Sequence, residues 1–178
     1  MRNVLFILGQ FNDGDIDWLA KQGARRALRD GDVIVHEGRA SDTLFITLTG
    51  WFRVSLGDGT EVNRLGAGEV VGEVAFVDSA PPSATVMAAG DASVLGLPHT
   101  LLRQRLAEDA PFAARFYRAL AIFLADRLRT TTRRLGYGGA DDLESDQVLE
   151  DELDIGVLDA VSQAGDRYTR LLRTLATG

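Results

Sequence analysis

Cysteine is absent from the chain, which excludes disulfides, thiolate metal sites and cysteine nucleophiles. Histidine occurs only as His36 and His99, with no carboxylate at metal-ligand spacing, so no metal site is expected. Ser79 and Ser83 have no histidine nearby in sequence, and a hydrolytic triad has no support. No apolar run approaches the roughly 18 residues of a membrane span. The apolar stretch at residues 4–8 lacks the length of a secretory signal. A cytoplasmic protein without enzymatic activity or a required cofactor is therefore expected.

An excess of positive charge is also missing. The formal net charge is −7, and its distribution is uneven. Residues 1–138 hold 16 acidic and 16 basic side chains, whereas residues 139–178 hold 10 acidic and 3 basic ones. A DNA-binding surface normally carries the opposite sign, so no nucleic-acid partner is expected.

What is present is the balance of a globular domain, with 46 % apolar and 25 % charged residues. A short helix is expected from Asp15 to Gly23, with Ile16, Leu19 and Ala20 on one face. The period then falls to two. Val33 and Val35 alternate with Ile34 and His36, and Leu44, Ile46 and Leu48 alternate with Phe45, Thr47 and Thr49. Residues 51–56 and 60–65 flank Gly57-Asp58-Gly59, a hairpin signal, because glycine tolerates positive φ. Residues 83–89 and 92–97 form two more strand patterns around the turn Gly90-Asp91. Short strands at this spacing indicate an antiparallel sandwich or barrel.

Beyond Pro98 the pattern is helical. Leu101, Leu102 and Leu106 make a short apolar face. Asp109-Ala110-Pro111 reads as a helix start. Phe112, Phe116, Leu120, Phe123, Leu124 and Leu128 then recur at steps of three or four, as far as about Leu135. The stripe fits either a core or a dimer seam, and Arg127 to Arg134 fit a solvated face. Gly138-Gly139 opens a linker. Residues 141–154 are acidic and poor in apolar side chains, without the spacing of a calcium loop. A last helix is expected over about residues 155–175, with Leu158, Val161, Tyr168, Leu172 and Leu175 on one face.

The chemistry concentrates between Val71 and Val86, in a connection between strands. Gly72-Glu73-Val74-Ala75 can form one helical turn whose free N–H groups favour an anion such as phosphate. Glu73 can accept hydrogen bonds from a hydroxyl pair such as that of ribose. Ser83 offers a hydroxyl and an N–H to the same anion, and Pro81-Pro82 stiffens the entry to the next strand.

This stretch resembles the phosphate-binding cassette of the cyclic-nucleotide-binding domain family, of the protein-kinase-A regulatory type. That cassette reads Gly-Glu-x-Ala-Leu, a spacer, then Pro-Arg-Ala-Ala-Thr-Val. Gly72, Glu73, Ala75, Pro81, Ala84, Thr85 and Val86 stand in register with it, and the resemblance spans roughly residues 14–135. It implies a mainly β fold, an eight-stranded antiparallel β-roll or jelly-roll with flanking helices. The cyclic-nucleotide-binding-like domain would occupy residues 1–138, with the roll at 25–98 and helices at 99–135. An acidic linker and C-terminal helix would follow over 139–178.

The resemblance also implies a ligand site made of Val71, Gly72, Glu73, Val74, Ala75, Ser83, Ala84 and Thr85. A cyclic nucleotide, cAMP ahead of cGMP, would sit with its ribose 2′-hydroxyl on Glu73. The role implied is that of a stand-alone regulatory sensor acting through its C-terminal helices on an unknown protein effector. A homodimer through the long helix 111–135 is expected. One position departs: the family's phosphate-binding arginine falls at Pro82, which offers neither charge nor N–H. Arg39, Arg53 and Arg64 are the cations that could compensate. The alternative is a degenerate fold that binds no cyclic nucleotide and serves as a protein-interaction module.

Overall fold

The computed structural model describes residues 8–136 and 155–177. The linker glycines, the acidic segment 141–154 and the apolar stretch 4–8, apart from Leu8, lie outside the described residues.

Helix α1 (Asp13–Gln22) starts two residues before the position expected from the apolar pattern. The Asn12 side chain accepts from the Asp15 N–H at 2.9 Å, and the Asp15 carboxylate accepts from the Asn12 N–H at 2.9 Å. This reciprocal cap satisfies two otherwise orphaned donors and fixes the start. Ile16, Leu19 and Ala20 are buried, as expected.

Eight strands follow: β1 (Ala24–Leu28), β2 (Val33–Val35), β3 (Thr43–Thr49), β4 (Phe52–Ser55), β5 (Glu61–Leu65), β6 (Val70–Val71), β7 (Thr85–Ala88) and β8 (Ala92–Pro98). They form two four-stranded sheets, in the orders β1-β8-β3-β6 and β2-β7-β4-β5, with every pair antiparallel. Between β4 and β5 the chain turns at the expected glycines: Gly59 has φ +85, and Asp58 accepts from the Thr60 N–H. The turn at Gly90 joins strands of different sheets, so β7 and β8 are not a hairpin. Val86, Ala88, Ala92 and Val94 all enter one apolar cluster, which the chain reaches from both sheets only by crossing between them.

That cluster, with Phe45, Phe52, Val54, Leu65 and Val71, fills the interior of the roll. A second cluster covers the other face of the first sheet, where Leu44, Ile46, Leu48, Leu95 and Leu97 meet the helices. With both faces covered, β3 and β8 are buried almost throughout, and the period-two signal is partly lost in them.

The helices are α2 (Glu73–Asp78), α3 (His99–Glu108), α4 (Ala110–Gly136) and α5 (Ile155–Thr177). Asp109 caps α4, accepting from the Phe112 N–H at 2.9 Å. Phe112, Phe116, Leu120 and Phe123 are buried in the chain's own core: Phe112 stacks on Phe11 and Phe116 meets the Phe76 ring edge-on. The aromatic stripe is therefore core, while Leu128 is 68 % exposed. Helix α5 packs on α1. Ala164 and Leu171 are fully buried there, and Arg170 pairs with Asp13 and Asp17. The Tyr168 hydroxyl donates to the Leu48 carbonyl. The Leu158 and Val161 side chains lie outside the described residues.

Candidate functional site

The first half of the site hangs on β6. Its two residues pair with β3, Phe45 opposite Val71 and Ile46 opposite Val70. The chain must then turn sharply, and Gly72 does so with φ +88. A Cβ there would stand 2.8 Å from the Thr43 carbonyl oxygen, so only glycine fits the approach. The turn sends Glu73 inward at the head of α2 and leaves it 2 % exposed, while Val74 points to solvent and Ala75 is buried.

An isolated carboxylate at this depth is costly unless a cation meets it. Arg127 of α4 does, donating through Nη1 to Glu73 Oε1. Its guanidinium also lies over the Phe123 ring. Burial pushes the Glu73 carboxyl above its ordinary range, and the charge and hydrogen bond of Arg127 oppose that rise without cancelling it.

The second half leads into β7. The Pro82 carbonyl accepts from the Gly38 N–H at 2.8 Å, and the Thr85 hydroxyl accepts from the Glu37 N–H at 3.1 Å. Ser83 is exposed. Ala84 packs against the interior cluster that also contains Val71. Val71 and Ala84 thus share the interior cluster of the roll. What the cassette offers is a buried carboxylate, exposed Ser83 and Pro82 without a donor.

Of the three candidate replacement cations, two point elsewhere. Phe52 and Val54 face the interior, so Arg53 between them faces out, opposite Arg64 and against the Met87 sulfur. Arg64 is paired with Glu61 at 2.6 Å. Arg39 lies in the β2–β3 loop beside Pro82 and is exposed. His99 is buried and stands at a helix start: it begins α3, its N–H donates to the Asp42 carbonyl at 2.7 Å, and burial holds its imidazole below the ordinary range. Among the described residues no cluster could hold a metal ion, and no helix is long and apolar enough to cross a membrane.

Arg127 corrects the expectation that Arg127 to Arg134 form a solvated face, since it pairs with buried Glu73. Arg115 forks onto the buried Asp15 carboxylate at 2.7 and 3.0 Å. Arg127 was marked in the sequence by its spacing: four residues after Phe123, it continues the buried stripe. An open groove of about 610 Å³ between α1 and α5 is lined by Asp13, Arg167 and Arg170 among others, none from the cassette.

Comparison with known proteins bears on the family and the fold. Residues 25–109 match the profile of the cyclic nucleotide-binding domain. A cGMP-dependent protein kinase from Toxoplasma gondii is 32 % identical over 89 residues, which is 50 % of this chain and only 9 % of the kinase. A cyclic nucleotide-binding domain from Methylobacillus flagellatus superposes with a TM-score of 0.70 at 23 % identity, over 80 % of this chain and 86 % of that one. The N-terminal domain of a transcriptional regulator from Streptomyces coelicolor superposes at 0.56 with 25 % identity, over 80 % and 92 %. Residues 25–109 of this chain belong to the cyclic nucleotide-binding domain family.

Proposed function

We propose that the chain is a regulatory sensor that takes a cyclic nucleotide on Val71, Gly72, Glu73, Val74 and Ala75 with Ser83, Ala84 and Thr85. The supporting observation is Glu73, a buried carboxylate at the head of α2 held by an arginine from a C-terminal helix. A ribose 2′-hydroxyl donating to that carboxylate competes with Arg127 for it. Ligand and α4 then share one group. By linkage, ligand shifts α4 only through a difference in affinity between its two arrangements. In this reading residues 1–138 form the binding domain, the C-terminal helices carry the signal, and the chain is not an enzyme.

cAMP is the first candidate and cGMP the second; the kinase relative is cGMP-dependent by name, so both enter the test. A homodimer through α4 would use the exposed stripe Tyr117, Ala121 and Leu128, since the phenylalanines face inward. Light scattering giving a dimer mass at tens of micromolar supports that assembly, and a monomer mass removes it. Pro82 favours the second reading, a protein-interaction module without ligand. Thermal unfolding with millimolar cAMP and cGMP separates the two: a rise in Tm is expected, and no shift with either nucleotide favours the second.

A further inference from the structure

The cassette lacks a cation at Pro82, and the β2–β3 loop carries one past that position. The loop is anchored on both arms of the cassette. At its start the Glu37 N–H donates to the Thr85 hydroxyl at 3.1 Å and the Gly38 N–H to the Pro82 carbonyl at 2.8 Å. At its end the Ser41 hydroxyl donates to the Thr43 carbonyl at 3.2 Å, the oxygen that Gly72 crowds. Ser41 Oγ itself lies 3.9 Å from where a Cβ on Gly72 would stand. Residues 39 and 40 therefore span the gap between the two arms.

Arg39 sits at that point, its N–H donating to the His36 carbonyl at 3.3 Å. Its side chain is exposed and forms no ion pair among the described residues. The nearest acid in sequence does not neutralise it: the Glu37 carboxylate is turned to the β4–β5 hairpin, 3.5 Å from the Cβ position of Gly57. Every other arginine considered for this role is directed or paired elsewhere. A guanidinium presents a planar fork that matches two oxygens of a phosphate, and its long stem tolerates attachment to a different strand connection.

We propose that Arg39 supplies the cationic contact to the ligand's phosphodiester, from the β2–β3 loop instead of the cassette strand. The assignment rests on the reading of the cassette as a cyclic-nucleotide site and adds the source of its anion recognition. The backbone carbonyl of Pro82, which any residue there would offer, helps to hold the Arg39 loop in place.

The test is calorimetry of the full chain with cAMP and cGMP, and with adenosine as an uncharged counterpart. Arg39→Ala is expected to weaken the better of the two cyclic nucleotides about ten- to a hundredfold. It should flatten the salt dependence of that binding, leave adenosine binding unchanged and keep the ligand-free Tm. Arg39→Lys should recover part of the loss, and Pro82→Arg in the Arg39→Ala background should recover most of it. Equal affinity in Arg39→Ala and the wild type overturns the assignment while the cassette reading stands. No heat from the wild type with millimolar cAMP or cGMP overturns both.

Discussion

Glu73 and Arg127 lie 54 residues apart in the chain and meet as an ion pair between α2 and α4, where the carboxylate is nearly sealed from water and the arginine side chain is 42 % exposed. The pair ties the cassette to the long helix by one interaction with two partners of unequal burial.

The buried carboxyl gives stability a pH dependence of unusual sign. Because burial raises the Glu73 pKa, the folded chain holds that proton more tightly than the unfolded one. Its contribution is complete below the ordinary value of 4.5 and is lost as pH rises through the raised folded value. Glu73→Gln should therefore gain on the wild type as pH rises from 4.5 to 7.5, read as urea midpoints at the two ends. A gap that moves the other way would show that Arg127 outweighs burial.

Arg127→Ala should destabilise the chain by about 1–3 kcal/mol at neutral pH, the cost of leaving a buried charged group unpaired. The exposure of the arginine places the effect toward the lower end. In a Glu73→Gln background the same change should cost less, and a double-mutant cycle reads the difference. Equal costs in the two backgrounds would mean the pair is not coupled.

Gly72 and Gly31 share positive φ, +88 and +85, but differ in surroundings. Either glycine changed to alanine bears the left-handed strain of roughly 1–2 kcal/mol. Only Gly72→Ala also drives a Cβ to 2.8 Å from the Thr43 carbonyl oxygen; nothing stands within 4 Å at Gly31. Denaturation midpoints should fall further for Gly72→Ala. A larger loss at Gly31 would contradict the close approach of β3 to the cassette turn.

Leu171→Ala removes a fully buried side chain between α5 and the rest of the core. The expected cost is about 2–5 kcal/mol. Limited proteolysis should then cut within α5 faster than in the wild type. Unchanged stability and cutting would show that α5 contributes little to the core.

The cassette turn was legible because it needs a glycine at position 72, and that need is written as a residue type at fixed spacing before Glu73. The same holds for the hairpin at Gly57-Asp58-Gly59 and for the cap at Asp109. Strand β1 was not legible: it is an edge strand carrying Arg25 and Arg26 on exposed positions, so no alternation marks it. Strand β6 is two residues long, too short for any period. The crossing at Gly90 depends on which layer each strand joins, a long-range fact that a local turn does not encode. Arg127 was read as solvated because its acidic partner lies 54 residues away.

The most direct test of the account is titration calorimetry of cAMP and cGMP into the wild type and Glu73→Gln at neutral pH. Saturable one-to-one binding of at least one nucleotide is predicted, weakened about tenfold or more when the carboxylate becomes an amide. Absence of binding at millimolar nucleotide, or equal affinity in the two proteins, would contradict the placement of the ligand on Glu73.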